Sequence, residues 1–153
     1  MKLKESVQSS IINSLNDPIA TILAKDSHLT KTQLETLLID VLAENIAGKS
    51  VIFEAKARLR LTKAKISRGS FNRTLKQAKD NVIKSIYTVL LLGYLGIFES
   101  TTLEPYIEIA NKLQEYIETC KSIENKTSEQ EHLKIIEILR EELETSLKLS
   151  SNP

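Results

Sequence analysis

Apolar residues recur at intervals of three and four positions along most of this chain, which is the spacing of one face of an α-helix. Seven helices are predicted from this pattern. They span about residues 5–16, 19–26, 31–47, 50–61, 68 to 93 or 96, 102–121 and 129–149. Candidate caps support three of these bounds. Thr30 with Gln33 (or Thr32 with Glu35) can form a capping box, and Gly48 suits the end of the same helix. Ser67 can cap the helix that begins near residue 68.

The same periodicity predicts which positions face inward. The apolar stripe on the third helix comprises Leu34, Leu37, Leu38, Val41, Leu42 and Ile46. The fourth helix, with Ser50 as its cap, turns Phe53, Ala57 and Leu61 inward and Lys56, Arg58 and Arg60 outward. The fifth helix buries Phe71, Leu75, Ala78, Val82, Ile86 and Val89.

A composition with only four Gly and three Pro, rich in Leu, Ile, Lys and Glu, favours an all-α chain. The longest uncharged run, "SIYTVLLLGYLGIF" at 85–98, would rise about 21 Å as a helix, which is too short to cross a bilayer. We therefore expect it at the centre of the molecule. The predicted fold is a helical bundle with a helix-turn-helix-like unit and a long central helix in residues 1–98, and an acidic helical hairpin in residues 99–153. Both parts are expected to form one folded unit.

Positive charge is concentrated in one segment of an almost neutral chain. Residues 49–84 hold eleven Lys and Arg and two acids, a net charge of +9, whereas the rest of the chain carries −8. Such an asymmetry is typical of a surface that binds a polyanion. The alternative is that the basic segment pairs with the acidic C-terminal part of its own chain.

The densest part of this segment, "ISRGSFNRTLKQAK" at 66–79, has the residue types that a DNA-reading helix needs. Arg and Asn side chains can form paired hydrogen bonds with guanine and adenine, Lys suits phosphate, and the start of a helix attracts anions. Gly69 lets the backbone approach a ligand. The candidate nucleic-acid-binding residues are Lys56, Arg58, Arg60, Lys63, Lys65, Ser67, Arg68, Ser70, Asn72, Arg73, Lys76 and Lys79.

This stretch resembles the recognition-helix segment of the sigma-factor region-four type of helix-turn-helix. The positions that fit are Ile66, Ser67, Gly69, Ser70, Phe71, Leu75, Ala78 and Lys79. The longer stretch through "DNVIKSIYTVLLLGYLG" also resembles uncharacterised archaeal helix-turn-helix proteins. The resemblance implies a DNA-binding module. This chain departs from the family pattern at two places. Its support segment reads "FEAKARLRL", and its connector, "TKAK", is longer than a tight turn.

The leading hypothesis is a protein that binds double-stranded DNA, either a transcription regulator or a chromatin-associated factor. It is expected to form a homodimer, with the C-terminal hairpin as the dimer interface. The alternatives are a helical adaptor whose basic face binds an acidic partner, and an RNA-binding protein. The sequence offers no catalytic constellation, metal site, cofactor motif or small-molecule substrate site, since its two His residues lack partners at ligand spacing. The polar first ten residues and a single cysteine favour a cytoplasmic, non-enzymatic protein without membrane attachment.

Overall fold

The computed structural model describes residues 2–61, 66–97 and 104–122, and residues 131, 133–135, 137, 138 and 141. In these residues we find helices and no strand, so the predicted all-α class is confirmed. The continuous helices are α1 (Lys2–Leu15), α2 (Pro18–Asp26), α3 (Lys31–Ala47), α4 (Phe53–Ala57), α5 (Arg68–Tyr94) and α6 (Glu104–Ser122). The described residues between 131 and 141 are also helical. No helix in this part of the chain combines the length and apolarity needed to span a bilayer.

The chain divides into two compact units, Met1–Lys84 and Ser85–Pro153, and the division falls within α5. The predicted boundary at residue 98 stays a prediction. The first unit holds the hydrophobic core, in which α1 packs against α3. The buried apolar residues of this core are Val7, Ile11, Ile39, Ala43, Ala57, Leu59, Phe71 and Leu75.

Local hydrogen bonds set the start of α2 and both ends of α3. Asp17 accepts the N–H of Ala20 at 2.9 Å, so it caps α2. Thr30 and Gln33 form the reciprocal capping box of α3, with both bonds at 3.1 Å. Gly48 ends α3 in the left-handed region, with φ at 66°, a conformation that suits glycine. The predicted span of 31–47 and the Thr30 alternative for its cap are therefore confirmed.

The buried face of α3 differs from the predicted leucine stripe. Glu35, Thr36, Ile39 and Ala43 are buried, while Val41 is 54 % exposed. Ile46 is exposed as well, and Leu37, Leu38 and Leu42 pack at the edge of the core. The prediction was wrong for Val41 and Ile46, and it missed the buried Glu35 and Thr36 because it counted only large apolar side chains. The helix instead turns inward a face that contains a small residue, a hydroxyl and a carboxylate.

The fourth helix is much shorter than predicted and does not begin at Ser50. It spans five residues, Phe53–Ala57, after the N-cap residue Ile52. It cannot extend through Leu61 because the N–H of Leu61 donates to the Glu35 carboxylate at 2.6 Å rather than to a helix carbonyl. Phe53 and Leu61, both predicted to face inward, are exposed, whereas Ala57 is buried as predicted.

The long helix α5 begins at Arg68 as predicted, and its first half is anchored by the buried Phe71, Leu75 and Ala78. The prediction that its second half is buried was wrong for most positions. Val82 and Ile86 are exposed, and Val89 is half-buried. Most of the described side chains of the uncharged run are therefore exposed to solvent.

In the second unit, α6 matches the predicted helix at 102–121. Within this helix Leu113 is buried, whereas Ile107 is 57 % exposed. The loop and most of the final predicted helix lie outside the described residues, so the helical hairpin stays a prediction.

Candidate nucleic-acid interface

The start of α5 is built to present an open helix terminus. Ser67 accepts the N–H of Ser70 at 3.1 Å and so caps the helix, as the sequence predicted. Ser67, Arg68 and Gly69 are exposed, and a Cβ placed on Gly69 would meet no atom within 4 Å. The first turn is thus sterically free to approach another molecule, and its N–H groups and dipole favour a negative one.

Three exposed cations lie on the first half of this helix: Arg68, Arg73 and Lys76. None of them pairs with a carboxylate of the part of the chain that the structure describes. Lys79 lies one turn beyond Lys76 and is half-exposed, with its Nζ 3.3 Å from Asp40. We define these four residues as the α5 cationic face.

Lys56 does not belong to any exposed basic surface. Its side chain is buried, and its Nζ donates to Asp40 and to Glu44, each at 2.8 Å. The same ammonium lies 5.3 Å from the ring centre of Phe53, within range of a cation–π contact. The prediction that Lys56 points outward is corrected, because two carboxylates on α3 draw it into the fold.

Arg60 is also buried, contrary to the prediction. Its Nε lies 3.9 Å from the Glu35 carboxylate, and Glu35 is fully shielded from solvent. Arg58 alone of the three predicted outward cations on this segment is exposed, and it pairs with Glu54 at 3.0 Å. Since Lys56 and Arg60 are internal, they are unsuited to a contact with nucleic acid.

The pKa values of the Lys56 cluster are shifted toward the charged forms. Burial alone would raise the pKa of Asp40, but hydrogen bonds from Lys56 and Lys79 outweigh it and hold that pKa below its ordinary value. The hydrogen bond from Lys56 likewise lowers the pKa of Glu44. Burial alone would lower the pKa of Lys56, yet its bonds to Asp40 and Glu44 raise it. The cluster is therefore an ion network that stabilises the fold.

The remaining predicted residues differ in availability. Ser70 is half-buried, and its carbonyl accepts the Thr74 hydroxyl at 3.1 Å. The Asn72 Oδ1 is buried and has no hydrogen-bond partner among the described residues, so Asn72 is less available to a base edge than Arg73. Lys63 and Lys65 lie outside the described residues.

Sequence reasoning missed the acids that sort these cations. The observed carboxylates beside Lys56 and Arg60 are Glu35, Asp40 and Glu44 on α3. Pairing between the basic segment and the C-terminal acids stays a prediction. Asp40 and Glu44 are four residues apart, so they share a helix face, and that spacing was the available signal. Besides the Lys79–Asp40 pair, a hydrogen bond also joins α5 to α3: the Asn81 side-chain amide donates to the Gln33 Oε1 at 3.1 Å, beside the α3 cap.

Comparison of this chain with protein-family models, with curated proteins and with solved structures finds no match. The interpretation of the site therefore depends on its own geometry. Among the described residues no group of three or more His, Cys, Asp or Glu side chains is placed to hold a metal ion.

The shifted pKa values predict how stability depends on pH. Because the pKa of Asp40 is lower in the folded chain, its contribution is present above the ordinary Asp pKa of about 3.9 and is lost as pH falls through the folded value. We expect Asp40→Asn to flatten the loss of unfolding free energy between about pH 5 and pH 2, measured by urea denaturation. Asp26→Asn, at an exposed position on α2, is the control. Equal slopes for Asp40→Asn and wild type would contradict this assignment.

Proposed function

We propose that this protein binds double-stranded DNA through the α5 cationic face, as a transcription regulator or chromatin-associated factor. The observation that carries the proposal is the set of exposed cations without carboxylate partners among the described residues, on a helix whose first turn is open. A helix of this kind fits the major groove of B-DNA, which is wide enough to admit it.

The distribution of charge supports a site on α5 rather than across the whole basic segment. Internal acids already neutralise Lys56 and Arg60, so these residues add no attraction for phosphate. The candidate residues whose charge faces solvent are concentrated on α5, with Arg58 engaged by Glu54. In this proposal Arg68 and Lys76 contact phosphates, and Arg73 reads a base edge with both ends of its guanidinium.

The mode of docking proposed here departs from a compact helix-turn-helix. The segment before α5 contains a five-residue helix, and its Lys56 and Arg60 side chains point into the fold. We therefore assign DNA contact to α5 itself and leave no role in phosphate binding to the buried side of α4.

Salt dependence tests the proposal. The two phosphate-contacting cations, Arg68 and Lys76, predict that the logarithm of the association constant falls against that of the salt concentration with a slope of about −2 for each α5 cationic face. We expect Lys76→Ala to make the slope shallower by about 1, and Arg73→Ala to reduce sequence discrimination by about 1–3 kcal/mol. Both are measured by fluorescence anisotropy on a duplex. Lys4→Ala, the same charge change on α1, should alter neither.

Two further probes separate the alternatives in the same assay. Duplex RNA bound as tightly as duplex DNA would favour the RNA-binding hypothesis. Polyglutamate bound in the absence of any duplex binding would favour the adaptor. Failure to bind DNA at low salt contradicts the proposal directly.

Self-association is the second part of the proposal, and the exposed second half of α5 supports it. Tyr87, Leu90, Leu91 and Tyr94 are each more than half exposed and carry no charge. Such a cluster is unfavourable in water and typical of a protein contact surface. A homodimer would cover it and would present two α5 cationic faces to paired half-sites.

Light scattering tests this part. We expect a dimer for the full chain and a monomer for Leu90→Glu, because a charge in the apolar contact costs free energy. Leu23→Glu, at an exposed leucine on α2, should stay dimeric. A chain truncated after Ser122 should stay dimeric if α5 forms the interface and become monomeric if the predicted C-terminal hairpin forms it. A monomeric wild type at micromolar concentration contradicts self-association.

A further inference from the structure

A pocket of about 320 Å³ lies in the first unit between the end of α1, α2 and the start of α3. None of its lining residues belongs to α5, so it is distinct from the cationic face. Its volume falls at the small end of the range typical of ligand sites.

The walls of the pocket are mainly apolar. Leu15 closes it from α1, Ala24 lines it from α2, and Leu29 and Leu34 line it from the α3 side. Such walls favour a ligand with an aliphatic body, because its burial releases apolar surface from water.

The polar part of the lining is positive. Lys25 and Lys31 both line the pocket and are exposed, and neither forms an ion pair within the described part of the chain. Their aliphatic stems can extend the apolar wall while their ammonium groups stay at the solvent edge. No Asp or Glu is among the lining residues, so nothing in the pocket neutralises the two lysines. Lys31 is also the first residue of α3, where the helix dipole adds positive potential.

We propose that this pocket binds a small amphiphilic carboxylate. Its aliphatic chain lies against Leu15, Ala24 and Leu29, and its carboxylate faces Lys25 and Lys31. An apolar wall with a cationic edge discriminates twice, since a neutral amphiphile gains only the wall and a cationic one is repelled at the edge. This inference does not depend on DNA binding.

The test is a titration of the ¹⁵N-labelled full chain with octanoate, octanol and octylammonium, followed by amide chemical shifts. We expect octanoate to bind most tightly and octylammonium most weakly. The octanoate shifts should group at Ser14, Ala24 and Leu29. Equal affinities for the three probes would reduce the pocket to an unselective apolar patch and overturn the proposal. So would an absence of shifts at millimolar octanoate, or shifts confined to other residues.

Variants locate the two parts of the site. The double change Lys25→Gln with Lys31→Gln should weaken octanoate about five- to tenfold and leave octanol unchanged, because it removes only the charge. Ala24→Leu should fill the space and weaken both probes. Lys4→Gln and Ala110→Leu, at exposed positions outside the lining, are the matched controls. Unchanged octanoate affinity in the double variant would contradict the role of the lysines.

Discussion

The carboxylate of Glu35 is fully buried on α3, where it accepts the N–H of Leu61 at 2.6 Å and lies 3.9 Å from the Arg60 Nε. A buried charge without partners is very costly, so these groups must be kept together for the first unit to fold. The contact ends the helical path after Ala57 and fixes residues 60 and 61 against α3. The Leu59 carbonyl is held from the other side by the Gln8 amide of α1 at 3.2 Å.

The acids of α3 also decide which cations are available for function. Glu35 lies beside Arg60, and Asp40 and Glu44 pair with Lys56. The cations of the basic segment at 49–84 therefore divide into an internal ion network and an exposed set. Lys79 belongs to both, since it is half-exposed and pairs with Asp40. The candidate DNA-binding surface is accordingly smaller than the sequence charge indicates. It is also held rigidly, because Phe71 and Leu75 anchor the same helix in the core.

Local signals in the sequence predicted much of the architecture. The caps at Thr30, Gly48 and Ser67 depend on neighbouring residues alone, and each was confirmed. The face of α3 and the orientation of Lys56 could not be predicted in this way. They depend on partners 12 to 26 residues away in the sequence. The periodicity of apolar residues also assigns every glutamate to the solvent-exposed face, so it could not predict a buried one. The exposure of the apolar second half of α5 could not be predicted for a related reason. Hydrophobicity alone does not show whether another element packs against a helix.

The buried carboxylate of Glu35 organises residues 60 and 61 ahead of α5, and a substitution that removes only its charge tests this. Glu35→Gln keeps an acceptor for the Leu61 N–H but removes the negative charge that lies 3.9 Å from the buried Arg60 Nε. We expect it to lower the free energy of unfolding by about 3–5 kcal/mol in urea denaturation. Glu54→Gln, which breaks the exposed pair with Arg58, should cost at most about 1 kcal/mol. A loss for Glu35→Gln no larger than that for Glu54→Gln would contradict the claim.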